Sequence, residues 1–108
     1  MSWSADNLKS AHDHCFGNQT ELNNSDQALC IACNHVFSTV LIHEWIVTGK
    51  GEEPTGFCPA CTFDTLIGDA APFPISDLCF GTAINKKYFD EPYPTSEQWN
   101  KIQNAPNQ

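Results

Sequence analysis

Apolar positions recur with helical spacing most clearly over residues 38–49, where Val40, Leu41, Ile42, Trp45 and Ile46 gather on one side. Ser38 stands as an N-cap and Gly49 as a stop, so the pattern predicts the best-defined helix of the chain there. A Trp at that spacing among aliphatic residues belongs to a core rather than to a binding platform. A thinner pattern, Leu8 and Ala11 behind Ser4, predicts a helix over 5–14 that Gly17 closes off. Asn18 is placed to cap a short helix over 19–24, and Ser25-Asp26-Gln27 reads as a turn.

Further along, Val36 and Phe37 read as strand residues of a β-ribbon over 28–37, and Phe63, Leu66 and Ile67 as a buried strand or a turn of helix. Residues 50–55 form a polar loop, and 68–74 another with Phe73 between two prolines. Ser76 is placed to cap a helix over 77–89 that carries Phe80, Ala83, Ile84, Lys87 and Tyr88, with Asp77 favouring its positive end. Pro92 and Pro94 break the chain, after which Thr95 and Gln98 resemble a capping box for a last short helix bearing Trp99 and Ile102. This is an α+β pattern of short elements, and 108 residues fit one domain, spanning 1–108.

The cysteines change the picture most. Cys30-Ile-Ala-Cys33 and Cys58-Pro-Ala-Cys61 are two C-x-x-C knuckles, and two residues between cysteines let both sulfurs reach one ion. Cys30, Cys33, Cys58 and Cys61 therefore make a candidate four-thiolate metal site, with Zn2+ as a structural cofactor that staples two β-ribbon knuckles. Four thiolates leave no position for a water, which argues for a structural and against a catalytic metal. Asn34, just after the first knuckle, falls where positive φ is often needed, and Asn tolerates it. The predicted helix carrying Trp45 lies between the knuckles and is expected to cover the thiolates with Leu41, Trp45 and Ile42 or Ile46. His12, His14 and Cys15 are close together and leave a second metal site open, although two histidines without carboxylates at matched spacing are more often surface residues. Of the two spare thiols, Cys79 is expected to be a small buried hydrophobe and Cys15 to be the more exposed.

Charge narrows the function classes. The net charge is −8, from 13 acidic residues against five lysines and no arginine. Nucleic-acid binding needs cations for phosphates, so this class is disfavoured. The beginning Met-Ser-Trp-Ser-Ala-Asp lacks a basic region followed by an apolar run, and no stretch approaches a membrane span. A cytoplasmic location is expected, where C-x-x-C pairs are metal ligands rather than disulfides. Zinc deaminases place a catalytic Glu two residues after a ligand and a proline before the second C-x-x-C; His43-Glu44 and Cys58-Pro-Ala-Cys61 fail both conditions.

The residues Asn18-Gln-Thr-Glu-Leu22, Cys30-x-x-Cys33, Phe37, Ile42-His-Glu-Trp45, Cys58-Pro-Ala-Cys61, Asp64-Thr-Leu-Ile-Gly-Asp69 and Tyr88-Phe89 resemble a family of small bacterial proteins known as "cytoplasmic protein". The likeness covers about residues 14–89, and it implies a four-cysteine zinc site and no particular activity. The family's glycine after the second knuckle is Thr62 here, its Asp-Ser is Asp64-Thr65 and its Trp-Phe is Tyr88-Phe89. The two knuckles also resemble rubredoxin, which implies iron as the alternative metal, but the glycines that follow its knuckles are replaced by Asn34 and Thr62.

Taken together, the sequence points to a non-catalytic, cytoplasmic zinc-binding protein that acts by protein–protein interaction, with a basic partner and no nucleic acid or membrane. An inhibitor or immunity protein that neutralises a basic toxin or nuclease fits this charge, with Glu52-Glu53 and Asp90-Glu91 as the first surfaces to consider. The alternatives are a zinc-dependent enzyme using Asp64 as a base, and a structural adaptor that binds through Phe73 and Trp99.

Overall fold

A computed structural model describes residues 4–47 and 53–94. The fold is α+β: among the described residues three helices, α1 (Ala5–Asp13), α2 (Gln19–Asn23) and α3 (Leu78–Phe89), surround short antiparallel strands. Strands β1 (Gln27–Cys30), β2 (Val36–Ser38) and β5 (Leu66–Gly68) form one sheet in the order β2-β1-β5, while β3 (Trp45–Ile46) pairs with β4 (Thr55–Gly56) in a second.

Strand β1 organises the core because both of its faces are buried. Side chains alternate along a strand, so Leu29 and Ile31, just past its end, turn toward α1 and α3, where they meet Leu8, Ala11, Ile67, Phe80 and Ile84. Ala28 and Cys30 turn the other way, toward Leu22, Phe37, Leu66 and the remaining knuckle residues. The sheet thus has an aliphatic side and a thiol side. Helix α3 presents Phe80, Gly81, Ile84 and Asn85 to the interior. Gly81 is required by close approach, since a Cβ there would stand 2.9 Å from the Asn34 Oδ1 of the first knuckle.

Most predicted helix ends hold to within a residue or two. Ser4 caps α1 by accepting from Asn7 N–H. Asp77 rather than Ser76 caps α3, accepting from Cys79 N–H at 2.7 Å. Asn18 occupies the N-cap position of α2 without making a capping bond. The first amides of that helix instead donate to the Pro54 carbonyl at 3.1 Å and the Glu53 carboxylate at 2.7 Å. The Thr20 N–H bond holds the Glu53 carboxyl below its ordinary range, so this acid is committed to the fold.

The helix expected over 38–49 does not form across its described residues, 38–47. Ser38 does cap a turn, but only a 3-10 turn over Thr39–Leu41, after which the chain extends and Trp45–Ile46 pairs with Thr55–Gly56. Thr39, Val40, Ile42, Ile46 and Val47 are β-branched, which weakens a helix and favours a pleated strand once a partner strand is supplied. The core role of Trp45 survives the change: Trp45 and Ile42 pack against the thiol-side cluster, while Leu41 and Ile46 are exposed. Gly56 permits this, because a Cβ there would lie 3.2 Å from the Trp45 ring and 3.0 Å from Leu22. Gly49 and Glu52, and the expected helix at Trp99 and Ile102, lie outside the described residues.

His12 stacks on Tyr88 with ring centroids 4.2 Å apart, joining α1 to α3. Burial pushes its pKa below the ordinary 6.5, against the opposing pull of Asp13 and Asp64. The unfolded chain then binds more protons between the folded value and 6.5, so stability is complete above that range and falls as pH drops through it. An NMR titration of the His12 imidazole should find its midpoint below 6.5.

Candidate metal centre

The two knuckles are built alike. In the first, Cys30 N–H donates to the His35 carbonyl at 3.0 Å and Asn34 N–H donates back to the Cys30 carbonyl at 2.8 Å. In the second, Cys58 N–H donates to the Phe63 carbonyl at 2.8 Å and Thr62 N–H to the Cys58 carbonyl at 3.0 Å. The residue that closes each turn has positive φ, 63° at Asn34 and 71° at Thr62. Asn takes that conformation readily, whereas a β-branched Thr does so under strain. Strand β1 delivers the first knuckle, and the β3–β4 pair delivers the second through a bond from Phe57 N–H to the Glu44 carbonyl.

This places the Sγ atoms of Cys30, Cys33, Cys58 and Cys61 within 4.8 Å of one another. Cys30 and Cys61 are 3.6 Å apart and Cys33 and Cys58 are 3.8 Å apart. A tetrahedron of ~2.3 Å zinc–sulfur bonds has sulfur–sulfur edges of about 3.8 Å, so the cluster is dimensioned for one ion of that size. A disulfide would need about 2.05 Å, and all six cysteines are free thiols. The donor set therefore fits a metal ion.

The surroundings suit thiolates. Ala60 and Cys61 N–H groups point at the Cys58 sulfur at 3.2 and 3.4 Å, and the Thr65 hydroxyl lies 3.5 Å from the Cys30 sulfur. Contacts among the sulfurs divide the protons unequally. Cys33 holds the Cys30 thiol below its ordinary range, Cys30 and then Cys33 lower Cys58, and Cys33 itself is pushed up, chiefly by Cys30. A cation at the centre is the partner that would let all four ionise together. Cys30, Cys33 and Cys58 are fully buried, and only Cys61 is partly open.

Other candidate groups are placed differently from what the sequence suggested. His14 faces Glu21, with Nδ1 3.0 and 2.9 Å from its two carboxylate oxygens, and its ring packs edge-on against Phe73. With His12 stacked on Tyr88, the two histidines and Cys15 do not gather around a common point, and among the described residues the four knuckle cysteines are the one group assembled as a metal site. Cys15 is completely buried, not exposed, and burial pushes its thiol far up, with Cys30 adding to the effect. Cys79 is the exposed thiol, contrary to expectation, because Phe80 and Ile84 fix the opposite face of α3 inward. Asp64 is half-buried and acts through space on His12 and Cys15. It is Asp69 that binds turn amides, accepting from Asp26 and Gln27 N–H. Phe73 is half-buried and stacks on Phe80.

Sequence reasoning gave Asn18 a capping role and missed its long-range one; the residue is 4% exposed. Its amide donates to the Leu66 and His14 carbonyls and accepts from Gly56 N–H, tying β5 to β4. Nothing local could have revealed this, because two of its partners lie 38 and 48 positions away. Among the described residues no helix is long and apolar enough to cross a membrane. Comparison of the chain with protein-family models, with curated proteins and with solved structures finds no match.

Proposed function

We propose that Cys30, Cys33, Cys58 and Cys61 hold one structural Zn2+ and that the domain so stapled works without catalysis, in the cytoplasm, by binding a basic protein. The observation that carries this reading is the closed cage: four protein thiols dimensioned for one ion, three of them fully buried. A metal with four sulfur ligands has no position for substrate or water, so its contribution is to folding. What remains for recognition is the surface of a chain whose net charge is −8, with no arginine. Asp6, Asp13, Asp26, Glu44, Asp90 and Glu91 are all exposed. Such a surface favours a cationic partner and speeds encounter with it, which suits an inhibitor or immunity protein that neutralises a basic toxin or nuclease. The resemblance to the small bacterial cytoplasmic proteins supports the zinc reading and is silent on the partner.

Affinity capture from the host cell is expected to retrieve a basic protein whose binding weakens roughly tenfold or more between low and high salt. Asp26→Lys with Glu91→Lys should weaken it in the same direction. Retention of the partner unchanged in high salt and after charge reversal would refute the electrostatic reading. An adaptor role would show instead as salt-insensitive binding of several partners.

Iron is a second reading with one observation in its favour. The absence of glycine after each knuckle counted against a rubredoxin-like site, yet Asn34 and Thr62 adopt positive φ without it. Metal analysis separates the two, since four-thiolate Fe(III) is strongly coloured and Zn2+ is colourless.

A further inference from the structure

The chain leaving α3 folds back across both knuckles. Tyr93 N–H donates to the Ala32 carbonyl at 2.8 Å, between the two cysteines of the first knuckle. Its ring meets Phe63, two residues after Cys61, at 4.6 Å, and Phe89 completes an edge-to-face trio at 5.4 and 5.5 Å. Phe63 and Phe89 both pack on the cluster that contains Cys30, Cys33 and Cys58, as does Cys61, the most open of the four cysteines. Buried Asn85 donates to the Ile31 and Ala32 carbonyls at 2.8 and 3.0 Å and reaches the Glu91 carbonyl at 3.4 Å, so one side chain holds knuckle and strap together.

The strap turns on Asp90. Its φ of 69° and ψ of −42° place a non-glycine residue at the centre of a tight three-residue turn, closed by Glu91 N–H on the Phe89 carbonyl at 2.7 Å. That turn type is rare and strained. Beyond this point the strap is held by the Asn85 bond to the Glu91 carbonyl, the Tyr93–Ala32 backbone bond and the Tyr93 ring contacts, and Tyr93 is 44% exposed. Opening it would relax Asp90 and take the Tyr93 ring off Phe63, which packs with Cys61 against the thiol-side cluster. Local openings of this kind occur at lower free energy than global unfolding.

We propose that residues 90–93 are a releasable clasp, hinged at Asp90, that sets how fast the metal leaves and re-enters at Cys61. This rests on the reading of the four cysteines as a zinc site. It adds a gate to that site: an outside ligand reaches the metal through a local motion of the strap, without unfolding of the domain.

The test uses full-length protein shown by metal analysis to carry one Zn2+ per chain. Transfer of zinc to excess chromogenic chelator is followed by stopped flow, and far-UV circular dichroism follows unfolding of the same sample. Zinc release is expected to precede the loss of dichroism. Tyr93→Ala, at the exposed rim, should speed release by about fivefold or more with a much smaller change in unfolding rate. Phe89→Ala would hollow both cores and is the poorer variant. Asp90→Gly, which takes positive φ without strain, should slow release by about threefold. The clasp is overturned if release and unfolding coincide in every variant, if Tyr93→Ala leaves release unchanged, or if Asp90→Gly speeds it. Failure to load one zinc overturns the metal reading itself, so the two failures are told apart.

Discussion

Chelation at neutral pH should unfold this protein, and Cys58→Ser should leave it unfolded even with zinc supplied. Binding of a structural zinc by four thiolates contributes roughly 10–16 kcal/mol of apparent free energy, whereas a domain of this size is stable by only about 5–15 kcal/mol in all. The first quantity is as large as the second, so little folded protein should survive its loss. The structure says why relaxation cannot rescue the variant. Cys58 receives two backbone N–H groups and is 1% exposed, packed with Cys30, Cys33, Ala60 and Leu66. A serine there would leave those amides facing a weakly basic hydroxyl and the metal short of a ligand. Far-UV dichroism with added EDTA, and metal content of the purified variant, measure both effects. Cys79→Ser serves as the control: its thiol is exposed on α3 and should be dispensable. A wild-type protein that keeps its dichroism after complete metal removal would show that the cores alone suffice.

The same contrast separates what could be read along the chain from what could not. The four-cysteine cluster was legible because covalent spacing puts both sulfurs of a C-x-x-C pair on one side of a tight turn, whatever surrounds them. The ends of α1 and α3 were legible because capping is a local contact between residues two or three apart, as at Ser4 and Asp77. The helix expected over 38–49 fails because its helical spacing coincides with a β-branched composition, and the deciding partner, Thr55–Gly56, comes from later in the chain. Cys15 and Cys79 were interchanged for a related reason. The face of α3 that goes inward is set by where Leu29, Ile31 and Ile67 stand, which no feature of α3 itself records. The positive φ at Thr62 is a further case, since its knuckle imposes on a β-branched residue the turn that Asn34 adopts easily.

Asn18 allows the long-range kind of contact to be tested against the local kind in one experiment. If its role were to cap α2, Asn18→Ala would cost about 1 kcal/mol and Asn18→Ser almost nothing, since Ser caps as well as Asn. The structure assigns it no capping bond; it places the amide between Leu66 on β5 at 3.0 Å, Gly56 on β4 at 3.1 Å and the His14 carbonyl at 3.2 Å. Removing it leaves a buried N–H and a buried carbonyl unpaired, each costing roughly 1–3 kcal/mol. Asn18→Ala is therefore expected to lose about 2–5 kcal/mol in urea unfolding of the metal-loaded protein. Asn18→Ser should be nearly as bad, because a hydroxyl is too short to span the two sheets. A near-neutral Asn18→Ser would return the residue to the capping role. A loss close to that of alanine would establish that this side chain helps lock the knuckle delivered by β4 to the main sheet.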